Sequence, residues 1–256
     1  MKRQFACRIS SYGRYVEQGW SHLGELGIEH VEVLVPRSEE EKARLRRRLA
    51  DSGLSVSSFQ TPCDVDCIDP GETIRPLLET CVEFDVQVAF VSVKPGPDVD
   101  FATACQRLRY IGDVAAGLGI AVTIEIHPPL ATNGSTALRT MQQVGHPNIR
   151  INYDTGNIYF YNRRLNAVDE LAKVVDYVAS VHLKDTSGKY RKWQFPALGR
   201  GVVDFEGVFS LLDRREFLGP YTLELEGIQG KRYSLEGRLA YVARSVEYLR
   251  SIGVLD

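Results

Sequence analysis

Four short segments in the second half of the chain each end in a side chain able to bind a divalent cation: TIEIH at Glu125, NYDTGN at Asp154, SVHLKD at His182 and TLELE at Glu224. Two Glu, one Asp and one His brought together make a hard, oxygen-rich donor set with one imidazole. Each residue closes a short run rich in Val, Ile or Leu, the pattern of a strand that delivers its last side chain to a shared face. Strand alternation puts Thr123, Glu125 and His127 on one side and Ile124 and Ile126 on the other. The same rule pairs Asn152 with Asp154 and Glu224 with Glu226, so either of the last two could be the ligand from that strand. Any one of these carboxylates could simply pair with Lys or Arg. Three of them and a histidine at the ends of four successive strands favour a cation, because buried carboxylates need compensating charge.

The elements that must position these residues recur evenly along the chain. Strand-like runs cover Phe5 to Ser10, His30 to Pro36, Ser55 to Thr61, Val88 to Lys94, Ala121 to Ile126, Ile149 to Asp154, Val178 to Leu183 and Tyr221 to Leu225. Between them lie segments of helical periodicity such as EEEKARLRRRLADSG, TIRPLLETCVEF, ACQRLRYIGDVAAGLG and LNAVDELAKVVDYV. Gly53 and Gly119 stand where helices give way to strands and are expected to take positive φ. Eight βα units with no leftover segment predict one α/β domain over residues 1–256, a (β/α)8 TIM barrel with its chemistry at the C-terminal ends of the strands. An open doubly wound sheet would carry a glycine-rich turn after the first strand. The chain has YGRYVEQG there, and it contains no Walker A sequence.

Composition narrows the function. The 256 residues are 44% hydrophobic, enough for one large core, and 31 Lys and Arg against 33 Asp and Glu leave a net charge of −2. That balance gives no field to hold a polyanion, so nucleic acid is not an expected partner. No stretch reaches the ~20 apolar residues of a membrane span. The Met1 end, KRQFACRISS, has no apolar leader core, and the expected location is the cytoplasm. Five cysteines argue against a disulfide framework. Cys63 and Cys67 have no second pair at zinc-site spacing, and the DVDCID run that follows Cys63 lacks the Gly and distal Glu of a calcium loop.

The ordered set of Glu125, DTGN at Asp154 to Asn157, HLKD at His182 to Asp185, LGRGVVDF at Leu198 to Phe205, and Glu224 resembles the xylose isomerase-like barrel superfamily. That group spans sugar and sugar-phosphate isomerases and epimerases, dehydratases, and the endonuclease IV type of DNA repair enzyme. For the ketose epimerase type, the resemblance implies one divalent ion held by Glu125, Asp154, His182 and Glu224. Mn2+ is expected first, with Mg2+, Co2+ and Zn2+ as the other candidates. It also implies proton abstraction beside a carbonyl, with Glu125 and Glu224 as the catalytic acid/base pair on opposite sides of a sugar. Return of the proton to the opposite face gives an epimerase; return to the neighbouring carbon gives an isomerase. The repair enzymes need three metals and many more histidines than His22, His30, His127, His146 and His182. They also carry His where this chain has Asn157, so endonuclease activity is not expected.

Substrate contacts are expected from His127, Asn157, Lys184, Lys94, Trp193 and Arg200, with Lys184 first because alternation puts it on the side of His182. Glu32 and Gln60 are read as rim hydrogen-bonding groups, Asp185 as a substrate group or a turn residue, and Trp193 as a lid or a cover of the barrel top. Ketose epimerases of this type place a further Glu six residues after the first ligand, where this chain has Ala131. That departure keeps open a dehydratase or lyase acting on a keto-sugar, keto-cyclitol or 3-keto-glycoside. A non-catalytic carbohydrate-binding or partner subunit is the alternative of another class. The apolar C-terminal segment LAYVARSVEYL could pack on the barrel or form a homo-oligomer.

Overall fold

A computed structural model describes residues 3–255; the reading of the Met1 end as leaderless falls partly outside them. The barrel is formed by β1 (Phe5–Arg8), β2 (His30–Leu34), β3 (Ser55–Gln60), β4 (Val88–Val91), β5 (Ala121–Glu125), β6 (Ile149–Asp154), β7 (Val178–Leu183) and β9 (Tyr221–Leu223). These strands are parallel and close in that order, with β9 pairing back onto β1. Each of the eight runs anticipated from the sequence holds one of them.

Around the barrel run α1 (Val16–Glu25), α2 (Glu39–Ser52), α3 (Pro70–Glu83), α4 (Phe101–Leu118), α5 (Gly134–Val144), α7 (Ala167–Val174), α8 (Phe205–Asp213) and α9 (Leu235–Ser251). Seven of these starts, all but that of α1, are chemically defined: Ser38, Asp69, Asp100, Asn133, Asn166, Asp204 and Ser234 each accept a backbone N–H from the first helical turn. α2 and α4 end on Gly53 and Gly119, both at φ 70, the left-handed conformation that glycine adopts without cost. On α9, Tyr241, Val242, Val246 and Leu249 are buried, so its apolar stripe packs on the barrel.

Two expectations need correction. β1 stops at Arg8 because the chain turns at once into a 3-10 helix, Ile9–Tyr15. There is also material beyond the eight βα units. A short helix α6 (Asn157–Tyr161) follows β6, and β8 (Gln194–Phe195) pairs antiparallel with β10 (Gly227–Ile228). Two residues per strand are too few to register as period-2 alternation in a sequence, which is why this ribbon was not foreseen.

Two register shifts matter for the site. Val31 pairs Val56 while Glu32 pairs Ser58, so Ser57 is the extra residue in β3. Ile151 pairs Val178 while Asn152 pairs Ser180, so Ala179 is the extra residue in β7. Because the side-chain period is two, each bulge changes which residues meet across the barrel interior. The second sets Asp154 beside His182, and Ser180 Oγ lies 2.7 Å from Asn152 Oδ1 in the layer below. No described helix is long and apolar enough to cross a membrane.

Candidate metal centre

At the C-terminal ends of the consecutive strands β5, β6, β7 and β9, Glu125, Asp154, His182 and Glu224 are all buried, and one ligand atom from each lies within 4.8 Å of the others. The two Glu stand at the ends of this four-strand arc, with Asp154 and His182 between them. Asp154 accepts the backbone N–H of Gly156 (2.9 Å) and of Asn157 (2.8 Å) through Oδ1. That fixes the carboxyl plane and leaves Oδ2 facing the centre. Burial raises the Asp154 carboxyl, against the opposing pull of Lys184 and His182.

The donor set fits a divalent cation. Asp154 Oδ2, His182 Nδ1 and Glu224 Oε2 are buried and belong to three of the four clustered residues; His182 Nδ1 has no hydrogen-bond partner, and the two carboxylate oxygens share the single ammonium of Lys184. Buried carboxylates need compensating charge, and one ammonium shared by Asp154, Glu224 and Glu226 leaves the cluster short of it. Acidic groups also outnumber resident cations: Glu32, Glu125, Asp154, Glu224 and Glu226 surround Arg8 and Lys184.

Lys184 already performs part of the compensation. Its Nζ lies 2.9 Å from Asp154 Oδ2, 2.6 Å from Glu224 Oε2 and 2.9 Å from Glu226 Oε2. Burial works against the ammonium, but Asp154, Glu226 and Glu125 outweigh it and hold it charged, above the usual lysine range. Glu226 pairs with Lys184 as Glu224 does, and of the two it is Glu224 that belongs to the buried cluster. Gly156 of DTGN is explained by the same lysine, since a Cβ there would come 2.7 Å from Lys184 Cγ.

Above the cluster opens a cavity of about 380 Å³ whose walls include Arg8, Lys94, Glu125, His127, Asn157, Phe160, Lys184, Trp193, Phe195 and Glu224. Asn157 donates to Ile126 O (3.0 Å) and lies 3.3 Å from Glu125 Oε1, tying the β5 and β6 ends together. His127 sits edge-on to Tyr161, and burial lowers its imidazole, which favours the neutral form. Phe160 and Phe195 flank Trp193 with ring centroids 5.9 and 5.2 Å away. Trp193 is 41% exposed, and its carbonyl accepts the Gln229 N–H. It is therefore a wall and partial cover of the cavity, held by the β8–β10 ribbon.

Arg200 is placed differently: it is exposed, stands outside the cavity walls, and its backbone N–H donates to Asp185 Oδ2 (3.1 Å). Asp185 acts as a turn residue on a larger scale than a single turn. Its carboxylate also accepts the N–H of Thr186 (2.8 Å), Gly201 (2.7 Å) and Val203 (3.2 Å), binding the LGRGVV loop to the end of β7. Gly201 is required there, because a Cβ would fall 2.2 Å from Asp185 Oδ1. Ala131, which stands where a further Glu was noted as absent, is fully buried, with its N–H bonded to His127 O (3.0 Å).

Two polar residues carry more weight than the sequence suggested. Arg8 is not among the residues that the sequence points to; its guanidinium bonds Glu224 Oε1 and its Nε is 3.8 Å from Glu32 Oε1. The sequence pattern runs the first strand on to Ser10 and so hides that Arg8 closes it as the ligands close theirs. Glu32, read as a rim group, is 1% exposed and its Oε2 lies 3.1 Å from His182 Nε2. Burial alone would raise its carboxyl, but His182, Arg8 and the Ser58 hydroxyl hold it below the usual range.

Known proteins resemble the chain in both sequence and fold. The L-ribulose-5-phosphate 3-epimerase UlaE of an Escherichia coli strain is 30% identical over 230 residues, covering 78% of each chain. The same-named protein of Salmonella heidelberg is 26% identical over 231 residues, again with 78% of each covered. Among solved structures, a D-tagatose 3-epimerase-like protein superposes with a TM-score of 0.76 at 16% identity over 97% of this chain and 96% of that one. A xylose isomerase-like barrel from Mycobacterium smegmatis in complex with magnesium gives 0.74 at 21% identity, covering 100% and 98%. At those identities the structural matches speak for the fold. The family model described as xylose isomerase-like TIM barrel matches residues 21–252, and the chain belongs to that family.

Proposed function

We propose that the protein is a metal-dependent epimerase or isomerase of a small ketose or ketose phosphate, acting by proton abstraction beside the carbonyl. The observation that carries this reading is the buried cluster of Glu125, Asp154, His182 and Glu224, with ligand atoms within 4.8 Å of one another, beside a sugar-sized cavity that Glu125 and Glu224 line. The kinship with L-ribulose-5-phosphate 3-epimerases supports the substrate class. One divalent ion is held by Glu125, Asp154, His182 and Glu224, and three carboxylates with one imidazole suit Mn2+, then Mg2+ or Co2+. Bound there, it would polarise the carbonyl oxygen and favour loss of the neighbouring proton.

The chain's own residues divide the remaining work. Glu125 and Glu224, at the two ends of the arc, face a bound sugar from opposite sides, so one removes the carbon-bound proton and the other returns one. Glu224 has one oxygen engaged by Arg8, which orients it. Lys184, held charged, donates hydrogen bonds to substrate oxygens, while His127 and Asn157 offer neutral polar contacts. Phe160, Trp193 and Phe195 cover the mouth against water. Lys94, exposed at the rim, is the group to meet a terminal phosphate. The five unpaired cysteines suit a reducing compartment, and we place the enzyme in the cytoplasm.

The test is turnover of a panel of ketoses and ketose phosphates by Mn2+-loaded protein, read by NMR of the products. Glu125→Gln and Glu224→Gln are each expected to lower kcat by about 100-fold or more. Full activity in either variant would contradict the assignment of that glutamate.

A further inference from the structure

We infer that Glu32 is a positioning residue for the metal centre: its carboxylate accepts the Nε2 proton of His182 and so commits Nδ1 of that ring to the cation. The inference rests on the metal-centre reading above and concerns a residue outside the four ligands.

His182 is fully buried, so neither ring nitrogen can turn to water. Nε2 lies 3.1 Å from Glu32 Oε2, whereas Nδ1 has no hydrogen-bond partner and is 3.4 Å from Glu224 Oε2. A neutral imidazole carries its proton on one nitrogen and presents a lone pair on the other, and the partner of the first decides which is which. The Nε2–Glu32 contact is the shorter and has hydrogen-bond geometry, whereas the Nδ1–Glu224 contact does not, so the proton belongs on Nε2 and Nδ1 presents its lone pair to the cluster. The Phe90 ring, with its centroid 4.5 Å from that of His182, packs against the imidazole.

Glu32 is itself held from other sides. The Ser58 hydroxyl donates to Oε2 at 2.8 Å, and Arg8 Nε stands 3.8 Å from Oε1. The Ser58 contact depends on the extra residue in β3: the register shift after Val31 is what sets Ser58 opposite Glu32. A bulge that aims a hydroxyl at the carboxylate behind a metal-facing histidine has a clear use in this site. Carboxylate–histidine–metal chains fix the tautomer and raise ligand basicity, and loss of the outer partner typically costs about 10- to 100-fold in metal affinity.

Two readouts test the inference. Two-bond 1H–15N correlation spectra of metal-free, 15N-histidine-labelled protein report the tautomer of His182, and the Nε2–H form is expected. Titration of Mn2+ into Glu32→Gln, a near-isosteric change, is expected to show affinity reduced by about 10- to 100-fold, with the visible spectrum of the Co2+-loaded variant shifted. Ser58→Ala should weaken affinity in the same direction by less. An Nδ1–H tautomer in the wild type, or unchanged affinity in a folded Glu32→Gln, would overturn the inference while leaving the metal centre standing. Wild-type protein that takes up no divalent ion would overturn the metal-centre reading, and the inference with it.

Discussion

Lys184 Nζ lies between Asp154 Oδ2 and Glu224 Oε2, at 2.9 and 2.6 Å, so a divalent ion must compete with an ammonium for the same oxygens. Placing two cations against the same pair of carboxylates is unfavourable, and like charges within ~4–6 Å shift equilibria by one or more factors of ten. Lys184→Met is therefore expected to bind Mn2+ about tenfold more tightly in a calorimetric titration while losing turnover. Weaker binding by the variant would show that the lysine supports the ion rather than opposing it. At the rim, Lys94→Ala should raise KM for a ketose phosphate and leave kcat and the unphosphorylated ketose unaffected. An equal change for both substrates would remove Lys94 from phosphate recognition.

At the scale of elements, the site depends on how strand ends and loops are joined. Asp185 collects four backbone N–H groups from residues 186–203, and the loop it holds carries no other regular structure than the two residues of β8. Asp185→Ala would leave those donors without their acceptor. A loss of about 2–4 kcal/mol in urea unfolding is expected, since charged hydrogen bonds contribute ~1.5–3 kcal/mol each and some of the freed donors will find water. A loss below about 0.5 kcal/mol would contradict the role. The strands and most helices were legible because period-2 and period-3.6 patterns persist over four to eighteen residues, and the four cluster residues because each closes such a strand. Arg8 and Glu32 were harder to value: their importance arises from pairings across the barrel, Arg8 to Glu224 and Glu32 to His182, separated by 216 and 150 positions in sequence. The bulges at Ser57 and Ala179, which set Ser58 opposite Glu32 and Asp154 beside His182, leave no mark on the hydrophobic pattern.

For the whole molecule, the barrel tolerates a concentration of carboxylates that would be costly to bury alone, and it must recover that cost when a cation binds. Ion binding therefore stabilises the folded chain by linkage, about 2.7 kcal/mol at a hundredfold excess over Kd. For a domain of this size, that is a rise in Tm of roughly 5–10 °C, reversible by chelator. Asp154→Asn should abolish most of the rise, and an equal rise in that variant would move the ion elsewhere. The central claim is that the cluster promotes exchange of a carbon-bound proton. It is tested most directly by incubating the protein with ketoses and ketose phosphates in deuterated water and following substrate by NMR, with Mn2+ and again after chelation. Deuterium entering the carbon beside the carbonyl only in the presence of the ion is the expected result. Product formed without deuterium incorporation, or exchange at the same rate after chelation, would contradict it.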